Sequence, residues 1–302
     1  MPDAFAEIVD RYCNWSENTG HAYGTIRNKR YAISWFLGEI SKQDCKSLDA
    51  LSPSCVARAS LKVTNYSLWG EIRQFLTYLT EFEGVTSDYS TIVPHYGKPY
   101  IIPSIYSVEE IKRIEEAIDT STVVGKRNYA MILLASRMGM RSVDIVRLTI
   151  EDVLNRTDLD IIQTKTGNVL HLPLISVVKS AIDDYLSVRP ESQTDIVFIN
   201  AYAPYNPVTT STIRAALRKY IGLAGIDSGN RKRGPHALRA SLASSMVNND
   251  ISYETVRKVL GHSSNSAIKH YARIDIDNLR KYSLTPPPPS NRFFAFLHGE
   301  VE

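Results

Sequence analysis

Apolar positions at helical spacing dominate the start of the chain. Ile33, Phe36, Leu37 and Ile40 fall at i, i+3, i+4 and i+7, and Leu68, Ile72, Phe75, Leu76 and Leu79 repeat the stripe. Between them, Leu51-Ser52-Pro53-Ser54 breaks the period and supplies a cap for a short helix. The pattern predicts an all-helical module of four helices over residues 1–93. The run VPHYGKPYIIPSIYS that follows holds three prolines, each fixing its own φ and pushing its predecessor into extended backbone. That predicts an ordered, non-helical linker over 94–107.

A second domain is predicted over 108–285. Ser107-Val-Glu-Glu110 is a capping box, in which a hydroxyl and a carboxylate satisfy each other's exposed amides, and Ile111, Ile114 and Ile118 continue at helical spacing. An apolar helix is expected over 127–138, stopped by Gly139, and another from 141 to 148. Alternating apolar residues predict two strands, 159–164 and 168–173, around the turn Lys165-Thr166-Gly167. Further helices are expected over 174–188, 209–224, 235–249, 252–260 (Ser252 as cap, Gly261 as stop) and about 264–271, with an extended piece at 196–199. Residues 286–302 form a proline-rich and aromatic tail. The fold class predicted is mainly α with a small β-sheet.

Composition narrows the function classes. The 302 residues are 43% hydrophobic, 22% charged and 9% aromatic, which excludes a mainly disordered chain. No run approaches the ~18 apolar residues of a membrane span. The acidic opening, Met1-Pro-Asp-Ala-Phe-Ala-Glu, lacks a secretory leader, and three cysteines (Cys13, Cys45, Cys55) without metal-ligand spacing read as reduced thiols. A cytoplasmic protein is therefore expected. The net charge of +3 is uneven: residues 1–95 sum to −2 and residues 96–302 to +5, with basic runs at Arg27-Asn-Lys29-Arg30 and Arg231-Lys232-Arg233.

The second domain offers an unusual set of polar residues: Arg141, Lys165, His236, Arg239, His262 and, nine residues on, Tyr271. His236 and Arg239 stand at i and i+3 and so share a helix face. His236 follows Pro235 in the first turn of that helix, where free amides and the helix dipole favour an anion. His262 follows the helix stop at Gly261. Two arginines, a lysine and two histidines around one tyrosine form the donor surplus that a phosphodiester gathering negative charge requires.

Arg141-Ser-Val-Asp144-Ile-Val-Arg-Leu148, Lys165-Thr-Gly167, His236-Ala-Leu-Arg239, Leu260-Gly-His262 and Tyr271 resemble, in order and spacing, the signature boxes of the tyrosine recombinase (phage integrase) family. The front module more weakly resembles its helical core-binding domain through Gly24-Thr-Ile-Arg27 and Phe36-Leu37. The chain departs from the pattern after Arg239, where Ala240-Ser241 replaces the commoner His-Thr/Ser. The resemblance implies a mixed α/β catalytic domain and a site-specific DNA recombinase without cofactor or metal. Tyr271 would attack the scissile phosphate and form a 3′-phosphotyrosyl link. A phenol of pKa ~10 needs help to do so, and His236 would accept its proton. Arg141 and Arg239 would grip the non-bridging oxygens, His262 would donate to the same phosphate, and Lys165 would protonate the departing 5′-oxygen. Asp144, three residues beyond Arg141, would orient Arg141 or a neighbouring histidine.

The implied partner is double-stranded DNA carrying paired recombination sites. By analogy Arg27, Lys29 and Arg30 would contact phosphates from the front module and Arg231, Lys232 and Arg233 from beside the active site. Arg214 and Arg218, on the 209–224 helix, are candidates for either reading bases or plain surface. The resemblance also implies self-association, as a dimer on one site and a tetramer in synapsis. Phe293, Phe294, Phe296 and Leu297, beyond four prolines, would dock on their own domain or, as the resemblance favours, exchange with a neighbour. No further domain is expected ahead of the helical module, which points to a compact, Xer-like or transposon-type architecture, nucleoid-associated in a prokaryotic host. The rival readings are a topoisomerase IB-like nicking and religating enzyme and a non-catalytic DNA-binding protein of the same fold.

Overall fold

The computed structural model describes residues 3–43, 45–95, 103–261, Arg292, Ala295, Phe296, His298 and Gly299. The expected helix at 264–271, His262, Tyr271, the four prolines and most of the tail lie outside the described residues. The chain divides into two compact units, Met1–Ile101 and Ile102–Glu302.

The first unit is built from α1 (Asp3–Asn18), α2 (Tyr23–Ser41), α3 (Pro53–Leu61) and α4 (Tyr66–Phe82), the four helices that the apolar stripes predict. Ile33, Phe36, Leu37 and Ile40 of α2 meet Ile72, Phe75, Leu76 and Leu79 of α4 in one core, with Phe5 and Tyr12 of α1. Ser52 caps α3 by accepting the Cys55 amide, and Pro53 occupies the first turn, where its missing N–H costs nothing. The three cysteines are buried, unbridged thiols.

One basic residue of this unit is not where its sequence context suggests. Lys29 is only 1% exposed. Its ammonium lies 3.0 Å from Glu71 Oε2 and donates to Tyr12 Oη (3.2 Å) and Gln74 Oε1. The expectation that Lys29 contacts DNA is therefore corrected: α2 turns it inward, and partners 42 and 45 residues away, invisible to local patterning, take its charge. Arg27 stays exposed, and Arg30 is paired with Asp10. Lys29→Ala should lower stability by about 3 kcal/mol, since it strips a buried network of its cation, yet leave DNA affinity per folded molecule unchanged. With Arg27 on a DNA phosphate, as the resemblance implies, Arg27→Ala should do the reverse, keeping the melting temperature and flattening the salt dependence of DNA binding by about one unit of log–log slope. Thermal unfolding and binding titrations at three salt concentrations check both.

The second unit is organised on α6 (Val123–Ser136), whose Ala130 to Ala135 are buried without exception. A helix apolar on every side must be surrounded. Around it pack α5 (Val108–Glu116), α9 (Ser176–Leu186), α10 (Thr210–Leu223) and α11 (Pro235–Asn248). The capping box at Ser107 and Glu110 opens α5 as expected. By contrast, α6 starts four residues before the expected 127. Thr122 caps it through the Gly125 amide, and the opening Val123-Val124-Gly125-Lys126 shows no helical period. The expected 141–148 helix is a single turn, α7 (Ser142–Ile145), and a separate turn, α8 (Ile150–Val153), follows it, opened by a capping box at Thr149 and Asp152.

The sheet is a single antiparallel pair, β1 (Asp158–Ile162) and β2 (Val169–Pro173), in the register Asp158↔Pro173 to Ile162↔Val169. Leu159, Ile161, Leu170 and Leu172 face the core, while Asp160 and His171 pair on the outer face. The connecting turn runs from Gln163 to Asn168, longer than the three residues expected, and is closed by the Gln163 amide on Asn168 O and the Gly167 amide on Gln163 O, both 2.8 Å. Last comes α12 (Tyr253–Leu260), capped by Ser252 and stopped by Gly261 in the left-handed conformation (φ +58°). No described helix is long and apolar enough to cross a membrane.

Candidate active site

Three separate stretches of chain meet in a recess of about 120 Å³. Its lining includes Arg141 and Ser142 from the start of α7, Lys165 from the β1–β2 turn, and Pro235, His236 and Arg239 from the first turns of α11. Each is placed by a local device. Gly139, at φ +64°, stops the chain after α6 and turns it so that Arg141 precedes α7 in extended backbone. Pro235 sets the entry of α11, and the i,i+3 spacing carries His236 and Arg239 on one face. Four of the six residues singled out in the sequence thus share one cavity; His262 and Tyr271 lie outside the described residues.

The two arginines are held in opposite ways. Arg239 is 2% exposed, and its fork is fixed from behind: Nη1 donates to Gly139 O and Nη2 to Leu260 O, both at 2.5 Å. Arg141 Nη1 is buried with no hydrogen-bond partner among the described residues. A guanidinium N–H left unmade in the interior is costly, and the natural remedy is an anion in the adjoining space. The surrounding protein, and then the charges of Arg239, Lys165, Arg141 and Lys232, hold the His236 imidazole below its ordinary pKa. The ring is therefore neutral at pH 7 and able to accept a proton, although its outer edge is open to solvent.

Asp144 does something other than orient Arg141. It is 5% exposed, and its Oδ1 accepts the Thr164 amide at 2.8 Å, so the carboxylate pins the turn that carries Lys165. The expected contact fails because Arg141 stands ahead of the helix in extended backbone, where helical i,i+3 geometry does not apply. Sequence reasoning missed Gln163 altogether. Its signal was present: Leu159, Ile161 and Gln163 share the inward parity of β1, and a glutamine there is a polar group delivered to the core, 0% exposed.

The model of the phage integrase family matches residues 106–277, more than half of the chain and all of the stretch that builds this recess. The chain belongs to the phage integrase family. A Sinorhizobium fredii protein named an integrase/recombinase, y4rA, is 31% identical over 280 residues, covering 87% of this chain; the chain spans 66% of that protein's length. Tyrosine recombinase XerC of Listeria innocua is 26% identical over 292 residues, covering 91% of this chain and 93% of its own. Among solved structures, XerH site-specific recombinase bound to palindromic difH substrate matches with a TM-score of 0.72 at 20% identity, over 91% of this chain and 82% of that one, a likeness of fold.

Within this integrase fold the other basic candidates divide. Arg231 is corrected: its two Nη atoms each donate to a different Glu110 oxygen at 2.7 Å, its guanidinium stacks 4.4 Å over the Tyr106 ring, and it also donates to Asp227 O. That fork braces the entry to α5 and has little left for a phosphate. Lys232 and Arg233, its neighbours, remain exposed. Arg214 and Arg218 lie on the outer face of α10, opposite Ile213, Leu217 and Tyr220 in the core.

Proposed function

We propose that this chain is a site-specific DNA recombinase that cuts and rejoins strands through Tyr271, with Arg141, Lys165, His236, Arg239 and His262 as its catalytic residues. The observation that carries the reading is the recess itself: four donor residues converge on it, and Arg141 Nη1 is buried there without a partner among the described residues. A phosphodiester oxygen satisfies that donor and the field of the recess together. The Tyr271 oxygen attacks phosphorus and gives its proton to neutral His236. The P–O5′ bond breaks as Lys165 protonates the departing oxygen. Arg141, Arg239 and His262 hold the non-bridging oxygens while charge develops on them. Attack by the 5′-hydroxyl of a second duplex on the phosphotyrosine reverses the steps and joins new partners, so the phosphodiester energy is conserved.

The proposed organisation is a helical DNA clamp over 1–93, a linker over 94–107, a catalytic domain over 108–285 and a tail that reaches a neighbouring protomer. Arg27, Arg214, Arg218, Lys232 and Arg233 supply backbone contacts, which fix position and affinity without reading sequence. Recombination pairs two duplexes, hence a dimer on each site and a tetramer in synapsis. We place the protein in the cytoplasm with its DNA, on the nucleoid in a prokaryotic host.

A library of nicked, random-sequence duplexes tests the reading. Full-length protein should form a denaturant-resistant adduct with a subset sharing one sequence, and two plasmids bearing that sequence should yield recombinant junctions. Plasmid relaxation without junctions would favour a nicking and religating enzyme. No adduct across the library would leave only DNA binding.

A further inference from the structure

Lys165 occupies the middle of an exposed turn and makes no ion pair among the described residues. A four-carbon stem on a loose turn would spread its ammonium over many positions, and a proton donor must lie within hydrogen-bond reach of its target. What fixes the turn is therefore part of the reaction, and the structure supplies two braces. Asp144 Oδ1 holds the Thr164 amide from the α7 side. Gln163 holds the turn from the other side with both ends of its side chain: Oε1 accepts the Thr166 hydroxyl at 3.0 Å, and Nε2 donates to Leu260 O at 3.3 Å.

Leu260 O is the same carbonyl that receives Arg239 Nη2. One lone pair thus serves the phosphate-gripping arginine and the other the amide that anchors the lysine turn. The fit at this junction is tight: a Cβ at Gly261 would come within 2.4 Å of Gln163 Nε2. Glycine at this helix stop is required by the left-handed φ and again by the glutamine packed against it.

We propose that Gln163 is a positioning residue for Lys165, coupling the lysine turn through the Leu260 carbonyl to Arg239 and to the end of α12. The inference rests on the recombinase reading and on Lys165 as the acid of that reading. A glutamine that merely satisfied buried groups would stabilise the fold without acting on one step of the reaction; a positioning role acts selectively on departure of the 5′-oxygen.

A duplex with sulfur replacing the bridging 5′-oxygen separates the two, because a thiolate, with its parent thiol near pKa ~8.5, leaves without being protonated. On the ordinary duplex captured by the wild-type chain, Gln163→Met should cleave about 10- to 100-fold more slowly, the cost of misplacing a catalytic group by an ångström or so. Thr166→Val, an exposed change that cuts only the turn-side bond, should slow cleavage in the same direction by less. On the sulfur-substituted duplex both variants should match the wild type, as Lys165→Ala should, whereas Arg141→Ala should remain slow on both. A defect in Gln163→Met and Thr166→Val that persists on the sulfur duplex, or no defect at all, overturns the coupling while leaving the recombinase reading intact. Failure of sulfur to rescue Lys165→Ala removes the lysine's role and the coupling with it. A wild-type chain that forms no Tyr271-dependent adduct removes the reading itself.

Discussion

Tyr271→Phe should reduce covalent protein–DNA product by about 10⁴-fold or more, while DNA affinity stays unchanged. Phenylalanine keeps the ring and removes only the oxygen that forms the ester in the proposed mechanism. In the proposed mechanism Arg141, Arg239 and His262 hold the phosphate and surface cations hold the duplex, so neither grip depends on the phenol. No thiol offers a substitute nucleophile: Cys13, Cys45 and Cys55 are all buried in the first unit. Denaturing gels of a labelled, nicked duplex measure the adduct, and filter binding measures affinity. An adduct that survives the substitution would assign the nucleophile elsewhere and undo the roles drawn around it.

The helices of the first unit were legible because each carries a complete apolar stripe, and their ends were legible where a cap sits beside proline or glycine. Ser52 before Pro53, Ser107 before Glu110, and Ser252 and Gly261 around α12 all serve as their spacing predicts. The start of α6 was not legible, because a Thr122 cap followed by Val-Val-Gly-Lys offers no periodic signal. Charge was the poorest guide. A lysine or arginine in a basic run looks solvent-bound from its neighbours alone, and what removes it from the surface is a partner far along the chain. Gln74 and Glu71 do this for Lys29, and Glu110, 121 residues away, does it for Arg231.

The recess was legible for a different reason. Arg141, Lys165 and His236 stand within two residues of Gly139, Gly167 and Pro235, and Arg239 shares a helix face with His236, so the set shows as polar residues gathered at chain breaks. Gln163 and Asp144 were harder to read because they act on backbone: a side chain that holds an amide or a carbonyl leaves no matching residue in the sequence. Parity along β1 was the one available clue to Gln163, and it shows only once the strand's inward face is known.

The contrast between the two recess arginines gives the second large expected effect. Arg141→Ala should slow single-turnover cleavage about 10²- to 10³-fold, the usual cost of one preorganised donor to a developing anion. Its folding stability should be unchanged or slightly raised, since the variant deletes a buried N–H that has no partner among the described residues. Arg239→Ala should lose cleavage to the same degree and stability besides. Gly139 O would be stripped of its side-chain donor, Leu260 O would lose one of its donors, and a side chain 2% exposed would leave a void. The combined cost is about 3 kcal/mol, or roughly 10 °C in melting temperature for a unit of this size. Sulfate sharpens the comparison. It should raise the melting temperature of the wild type by occupying the recess, and the rise should vanish in Arg141→Ala, because a ligand stabilises only the state that binds it. If instead Arg141→Ala unfolds as readily as Arg239→Ala and sulfate protects both equally, Arg141 is a structural prop and the phosphate is held elsewhere.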